Sequence, residues 1–368
     1  MVRGWLGWLL LCACGSPRLT PVPEQPTPRM SMQVPSATSV VTRFAIRGAE
    51  VVGRGVVDLE VDGGRIAAIG VVDATLPGVD AGGRFIVPGF IDSHVHLAYW
   101  PVGEELLDRG VTAVVDLAAP LAWLDAPGVP KELRAISSGP MITARRGYPT
   151  RGWGADGYGR EVGGPREAEA AVDELHAHGA KLIKLPITDG PQLAEDALRA
   201  AVVRAHERGL KVVSHALADS EVRMAAAVGV DVLAHTPVEA LTDPEAWRGR
   251  AVISTLVAFG GGRETIENLR RLRAAGAVVV YGTDLGNTRD AGISRDEIDL
   301  LLAAGLDGQA IVDAGTRTPA ALWGLSAELE IGGSADLLIL EADPRISPAT
   351  LATPVAVYVA GTRRTPAP

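Results

Sequence analysis

His178-Gly179-Ala180-Lys181-Leu182-Ile183-Lys184-Leu185 is the stretch from which the fold is read. It closes an amphipathic segment with a glycine and runs straight into a short apolar one. Glycine takes the left-handed conformation that ends a helix without a steric penalty. A nearly continuous apolar run reads as a strand buried on both faces. The same punctuation recurs as Arg109-Gly110 before Val111–Asp116, Arg208-Gly209 before Lys211–His215, Val228-Gly229 before Val232–His235 and Ala275-Gly276 before Ala277–Thr283. With Gly89–Leu97, Met141–Thr143, Lys181–Leu185 and Ala251–Val257 the chain offers eight strands, each followed by helix-forming sequence. Ser294-Arg295-Asp296-Glu297 has the pattern of a capping box at one helix start. Eight alternations over roughly 230 residues predict an α/β fold of the (β/α)8 TIM-barrel type, whose usual size is about 250 residues. A doubly wound open sheet is the rival architecture, and no glycine-rich phosphate fingerprint follows any strand to support it.

Outward from the barrel, residues 88–325, lie two flanks. Residues 40–87 hold short strands and glycine turns (Val56–Val61, Arg65–Ile69, Phe85–Val87), and residues 326–368 hold more (Asp336–Leu340, Val355–Val359). Together they predict a small β-sandwich assembled from both termini. Residues 14–39 contain Pro17, Pro21, Pro23, Pro26, Pro28 and Pro35 among polar residues, the composition of a stiff tether. Residues 1–13 resemble a bacterial lipoprotein signal peptide. Arg3 precedes the apolar Trp5–Leu11, and Leu11-Cys12-Ala13-Cys14 reads as a lipobox in which Cys14 carries the lipid. A plain secretory signal is the other reading. Either way the expected location is the bacterial cell envelope, periplasm or outer membrane, with membrane contact through the N-terminal lipid only. Both cysteines lie in this segment, so the mature domain has no disulfide.

A net charge of −9, no basic cluster and 4% aromatic residues argue against nucleic acid as a partner. The expected partner is a small molecule, and homo-oligomerisation stays open.

His94-Val95-His96 ends the first strand. Side chains two apart share a face, so both imidazoles project toward one point, as two nitrogen ligands of one metal ion do. Two ordinary strand histidines would satisfy the same spacing. In a (β/α)8 barrel the functional groups sit at the C-terminal strand ends. Those ends carry His94 and His96, Lys184, His215, His235 and Asp284. The remaining histidines, His176, His178 and His206, fall on helical segments and read as surface groups. Lys181 and Lys184 are three apart, hence on opposite strand faces. Lys181 reaches solvent, whereas Lys184 points into the barrel, where a bare ammonium is heavily penalised by desolvation. The amine either loses its proton and takes up CO2 as a two-oxygen anionic carbamate, snorkels to the rim, or pairs with Asp284.

Pro88–Leu97 resembles the PGxIDxHxHL opening of the amidohydrolase superfamily, and Gly110-Val111-Thr112 resembles its GVT segment. Lys181-Leu182-Ile183-Lys184 is similar to the fourth-strand IK of members with a carbamylated lysine. His215 and His235, twenty apart, resemble the imidazolonepropionase-like and metal-dependent dipeptidase (prolidase-like) branch, and Gly282-Thr283-Asp284 resembles its GTD. Ala314–Ala320 and Gly332–Leu340 resemble the tail leading back into the small β-domain. The resemblance spans residues 45–345. It implies two divalent metal ions, Zn2+ by preference. His94, His96 and Asp284 would bind the more buried ion and His215 and His235 the second, with carbamylated Lys184 bridging. It further implies a hydroxide between the metals as nucleophile and Asp284 as the catalytic proton acceptor and donor. The implied enzyme is a metal-dependent amidohydrolase cleaving an amide, dipeptide or cyclic amide.

Two segments depart from the pattern. Leu233-Ala234-His235-Thr236-Pro237 replaces the usual IEHG, and Arg145–Gly159, with Tyr148, Arg151 and Trp153, reads either as a substrate loop or as a mobile surface loop. A mononuclear deaminase would carry a glutamate three residues after His215, where Ala218 stands. Imidazolonepropionase lacks the fourth-strand lysine. A lipid-anchored, non-catalytic metal-binding protein is the remaining alternative, against which the full ligand set argues.

Overall fold

The computed structural model describes residues 42–364, so the signal, the lipobox with Cys14 and the proline-rich tether lie outside the described residues. Among the described residues no helix is long and apolar enough to cross a membrane.

The parallel strands form three hydrogen-bonded groups. Phe90–Val95, Val111–Asp116 and Arg134–Ser137 pair in that order, and Leu182–Pro186, Lys211–His215, Val232–Leu233, Ala251–Ile253 and Val278–Val280 make the second group. Met141–Ala144 pairs with Gly159–Val162 as the third. The ladders do not run continuously round; single backbone bonds cross between groups. Ser93 N donates to Tyr281 O at 3.0 Å, His96 N to Leu285 O at 2.7 Å and Lys181 N to Ser137 O at 3.0 Å. The third strand differs from expectation. Arg134–Ser137 lies beside Val111–Asp116, and the predicted Met141–Thr143 pairs instead with a strand at the end of the Arg145–Gly159 segment. Arg134-Ala135-Ile136-Ser137 is too short and too polar to stand out as a buried run.

All five glycines read as helix closures adopt positive φ: Gly110 at 89°, Gly179 at 92°, Gly209 at 72°, Gly229 at 95° and Gly276 at 94°. The helices they close are amphipathic. In Pro165–Ala177 the buried residues are Ala168, Ala171, Val172 and Leu175, the three-and-four spacing of one helix face. Phe90–Val95, Val111–Asp116 and Leu182–Pro186 are buried at every position, as strands covered on both faces must be.

The flanks meet in one eight-stranded sheet, not in separately paired layers. Arg43–Val51 stands between Gly55–Asp62, antiparallel, and Phe85–Pro88, parallel. Phe85–Pro88 in turn pairs antiparallel with Leu337–Leu340, which joins the two ends of the chain. Ile46, Leu59, Ile66, Ile86, Leu337 and Tyr358 fill a core of its own. Phe44 stacks on Tyr358 with ring centroids 5.7 Å apart.

Candidate active site

The first and last parallel strands are locked together by Asp92. One oxygen of its fully buried carboxyl accepts from His94 N at 3.0 Å and Thr283 N at 3.1 Å. The other accepts from Thr283 Oγ1 at 2.5 Å. Burial pushes this carboxyl up to about 7. Asp92 therefore ties the backbone of one ligand-type residue, His94, to the residue preceding another, Asp284. Asp284 itself has φ 56°, in the left-handed region that few non-glycine residues occupy. Such outliers gather at functional sites because the surrounding fold over-determines them.

Gly282 lets these strands approach. A Cβ there would lie 2.4 Å from Ile253 Cγ2, 3.1 Å from His94 N and 3.2 Å from His94 Cβ. Gly282→Ala is expected to lower stability by about 1–3 kcal/mol, the range for overpacking a filled core, and to weaken any stabilisation that added zinc gives. Calorimetric melting with and without zinc checks both; an unchanged melting temperature would contradict the close approach.

The six predicted site residues line one cavity of about 280 Å³. His94 Nε2 and His96 Nε2 are 3.2 Å apart, and Asp284 Oδ1 lies 3.3 Å from the first and 3.1 Å from the second. One ligand atom each from His94, His235 and Asp284 falls within 4.8 Å of the others. The His215 and His235 ring centroids are 4.8 Å apart, and those of His94 and His235 4.6 Å. Lys184 is 1% exposed within its strand, whereas Lys181, the residue just before that strand, is exposed. His176 and His206 lie exposed on helices; His178, just past a helix end, bonds Asp125 Oδ1 at 2.9 Å.

The protonation states follow from burial. Desolvation drives the His94 and His235 imidazoles well below their usual range and His215 down to about 3, so all three favour the neutral form. Burial pushes the Asp284 carboxyl up, but His94, His96 and the Asn287 amide outweigh it and hold it at about 2. Burial lowers the Lys184 amine to about 7. His94 Nδ1 faces Ala234 O at 2.9 Å, and a carbonyl only accepts. Its proton therefore sits on Nδ1 and its Nε2 lone pair faces His96 and Asp284.

A divalent cation fits this donor set. Neutral imidazole nitrogens and a carboxylate oxygen are zinc-type ligands. Lone-pair-bearing atoms packed this closely repel one another unless a proton or cation sits among them. In addition, His96 Nδ1 and Lys184 Nζ are buried without a hydrogen-bond partner, which native interiors rarely leave unexplained.

The Arg145–Gly159 segment roofs the cavity. Trp153 lies 5.0 Å from His96 and Tyr148 5.2 Å from His215, centroid to centroid, and Trp153 Nε1 donates to the Tyr148 hydroxyl at 2.9 Å. Arg151 stays exposed. Phe259, 4.7 Å from the His235 ring, and Asn287, whose amide donates to both Asp284 oxygens at 3.0 and 3.1 Å, are cavity residues that spacing did not mark. The glycine cluster Gly260-Gly261-Gly262 was the one local hint of a turn beside Phe259. Nothing local distinguishes Asn287.

The Ser294–Glu297 capping box forms only by half. Ser294 Oγ accepts from Glu297 N at 3.2 Å, but the Glu297 carboxylate turns inward. It accepts from Leu256 N and Val257 N, each at 2.9 Å, in the turn that carries Thr255 and Phe259. Thr255 Oγ1 in turn sits 3.1 Å from His235 Nδ1.

The sequence profile of the amidohydrolase family matches residues 85–364. An uncharacterised protein of Mycobacterium tuberculosis is 27% identical over 361 residues, spanning 88% of this chain and 96% of the relative. Among solved structures, a Xaa-Pro dipeptidase with bound methionine superposes with a TM-score of 0.73 at 20% identity, over 87% of this chain and 99% of that one. A prolidase complexed with N-methylphosphonate-L-proline does so with a TM-score of 0.70 at 22% identity, over 88% and 99%. With the profile covering most of the chain and the ligand-type residues gathered in one cavity, the chain belongs to the amidohydrolase family.

Proposed function

We propose that this protein is a metal-dependent hydrolase that cleaves the C–N bond of a small amide, dipeptide or cyclic amide. One observation carries the reading. His94 Nε2, His96 Nε2 and Asp284 Oδ1 converge within 3.3 Å in a cavity that also holds His215, His235 and the unpartnered Lys184 amine. His94, His96 and Asp284 would hold one divalent ion and His215 and His235 a second, zinc being preferred by the nitrogen-rich set. Divalent ions bound there supply Lewis acidity, acidifying water and polarising the scissile carbonyl.

Lys184 supports the two-ion reading. Its buried amine, lowered to about 7, has a substantial neutral fraction whose lone pair can attack CO2. The nitrogen gains a carboxyl group, loses a proton and becomes an anion with two ligand oxygens. Asp284 is the proton carrier: its carboxylate takes a proton from water and delivers it to the leaving nitrogen. Asn287 holds both carboxylate oxygens in place, and Tyr148, Trp153 and Phe259 shield the site from bulk solvent.

The same reading takes the three-stranded and five-stranded parallel groups, eight strands in all, as one closed (β/α)8 barrel within residues 88–325, supported by the backbone bonds that cross between these two groups. It takes the terminal sheet as folded into a sandwich, supported by the stacking of Phe44 on Tyr358. We also propose that Cys14 is lipidated and anchors the chain in the cell envelope. Mass spectrometry of native material should find the mature chain beginning at a modified Cys14, and an unmodified Cys14 refutes this.

The functional test is metal content with activity. Fully active protein should contain two zinc or cobalt ions per chain. Chelation should abolish turnover of a panel of Xaa-Pro dipeptides, Xaa-Arg dipeptides and N-acyl amino acids. Full activity at one ion per chain or fewer would favour a mononuclear site, and no turnover of any C–N substrate by metal-loaded protein would sink the reading.

A further inference from the structure

We infer that Thr255 is a positioning residue whose hydroxyl holds the His235 ring by Nδ1 and so aims Nε2 into the cavity as a metal donor, an inference that rests on the two-ion reading above. His235 stands past the end of its strand, since Val232–Leu233 is the whole of that strand. The parallel ladder therefore does not fix where its side chain points. Ring packing on His94, His215 and Phe259, with centroids 4.6, 4.8 and 4.7 Å away, holds the imidazole as a body. Packing distinguishes poorly between this ring and the same ring turned by half a revolution about its Cβ–Cγ bond, because that torsion is roughly two-fold. A hydrogen bond does distinguish them. Thr255 Oγ1 lies 3.1 Å from His235 Nδ1, and the turned ring would present a carbon there. Nε2 is then the nitrogen left for the cavity, where one ligand atom of His235 lies within 4.8 Å of its counterparts on His94 and Asp284.

His94 and His235 are held by different kinds of partner. His94 Nδ1 faces a backbone carbonyl, Ala234 O, which no side-chain change removes. His235 depends on a side chain. A hydroxyl both donates and accepts, so it serves either tautomer of the free ring. Once Nε2 gives its lone pair to a cation, the ring proton must sit on Nδ1, and the Thr255 hydroxyl accepts it.

The backbone at Thr255 points the same way. Its φ of 40° lies in the left-handed region, where a β-branched residue is an outlier and glycine or asparagine would sit with less strain. The fold imposes that conformation from both sides. Thr255 N donates to Gly282 O at 3.1 Å, and the next two backbone donors, Leu256 N and Val257 N, both reach the Glu297 carboxylate at 2.9 Å. Thr255 and Glu297 are fully buried, so neither is there to meet solvent. A turn that would take glycine or asparagine more easily carries threonine, and the contact its hydroxyl makes with His235 accounts for that strained choice.

Thr255→Val keeps the β-branch, the size and the strain and removes only the hydroxyl. Zinc titration of the metal-free proteins, with elemental analysis, should find two ions on the wild type. Thr255→Val should bind the second about 10–100-fold more weakly, the usual loss when the outer partner of a metal ligand is removed. Thr255→Ser keeps the hydroxyl and should bind both ions nearly as the wild type does. NMR of the zinc-loaded, 15N-histidine-labelled wild type should show a slowly exchanging Nδ1–H signal for His235, retained in Thr255→Ser and lost from Thr255→Val. A wild type without that signal overturns the proposal, whatever the variants do. So does a Thr255→Val protein that binds the second ion as tightly as the wild type, and so does a Thr255→Ser protein that loses it as fully as Thr255→Val, since that is a packing role. Wild-type protein that takes up at most one ion overturns the two-ion reading and this proposal with it, so the wild type alone tells the two failures apart.

Discussion

Lys184→Ala is expected to lose about a thousandfold in kcat/KM, roughly 4 kcal/mol of transition-state stabilisation, and to drop from the proposed two metal ions per chain toward one. The amine it removes is fully buried, lacks a hydrogen-bond partner and shares a cavity with four histidines and Asp284. The proposed carbamate would place an anion with two oxygens where a neutral amine has nothing to bond. The alanine hole is a shaped vacancy, so formate or acetate at high concentration should restore part of the activity by offering the same two oxygens. Lys184→Arg should not restore it, because a guanidinium stays cationic and cannot become an anionic ligand. Lys181→Ala, at the exposed residue just before the strand, is the control and should keep normal turnover. Elemental analysis with steady-state kinetics decides the matter: an active Lys184→Arg enzyme with normal metal content refutes the carbamate.

Asp284→Asn should cost about 10³–10⁴-fold in kcat, since it would remove the proposed proton acceptor and one anionic donor while leaving shape and size intact. The substitution is a clean probe for a reason particular to this site. Asp284 has φ 56°, and asparagine is one of the few residues that tolerate the left-handed region. Backbone strain therefore stays nearly constant across the change, and the melting temperature of the metal-free protein should move little. Asp284→Ala would confound chemistry with strain, because it abandons both bonds from Asn287, of which asparagine keeps the one to its remaining oxygen. Pre-steady-state measurement of the first turnover separates the chemical step from product release. A variant with near-native first-turnover rate would remove Asp284 from proton transfer and leave it a ligand only.

The ligand-type residues were legible because each rests on a short-range rule. The two-residue period of a strand puts His94 and His96 on one face, and the three-residue offset sends Lys181 out and Lys184 in. The glycine closures were legible for the same reason: left-handed geometry is a local property of one residue, and all five glycines show it. Boundaries were less so. His235 was read within its strand, yet Val232–Leu233 is the whole strand, and the predicted Ala251–Val257 run ends at Ile253. Thr255, two residues further on, turns with φ 40°. Apolar sequence continues through both bends, and hydropathy cannot register a change of direction.

Glu297 shows where local rules give out. Its place in Ser294–Glu297 predicts a bond back to the helix start, and an isolated helix would form it. In the folded chain two backbone N–H groups at Leu256 and Val257 are buried beside it without other partners, and satisfying them outweighs one exposed cap.

The sequence alone therefore determined the order of strands and helices apart from the third strand, the glycine stops and the identity of the side chains at the strand ends, because periodicity and chirality act over a few residues. The tertiary structure decided the rest. It pairs Phe85–Pro88 with Leu337–Leu340 in one terminal sheet, ties Asp92, which also holds His94, to Thr283 across 191 residues of chain, and brings Tyr148, Trp153, Phe259 and Asn287 over the ligand set. Contacts between segments so far apart depend on which packed arrangement buries the most apolar surface while leaving no backbone group unpaired, and that balance is struck only when the whole chain is folded.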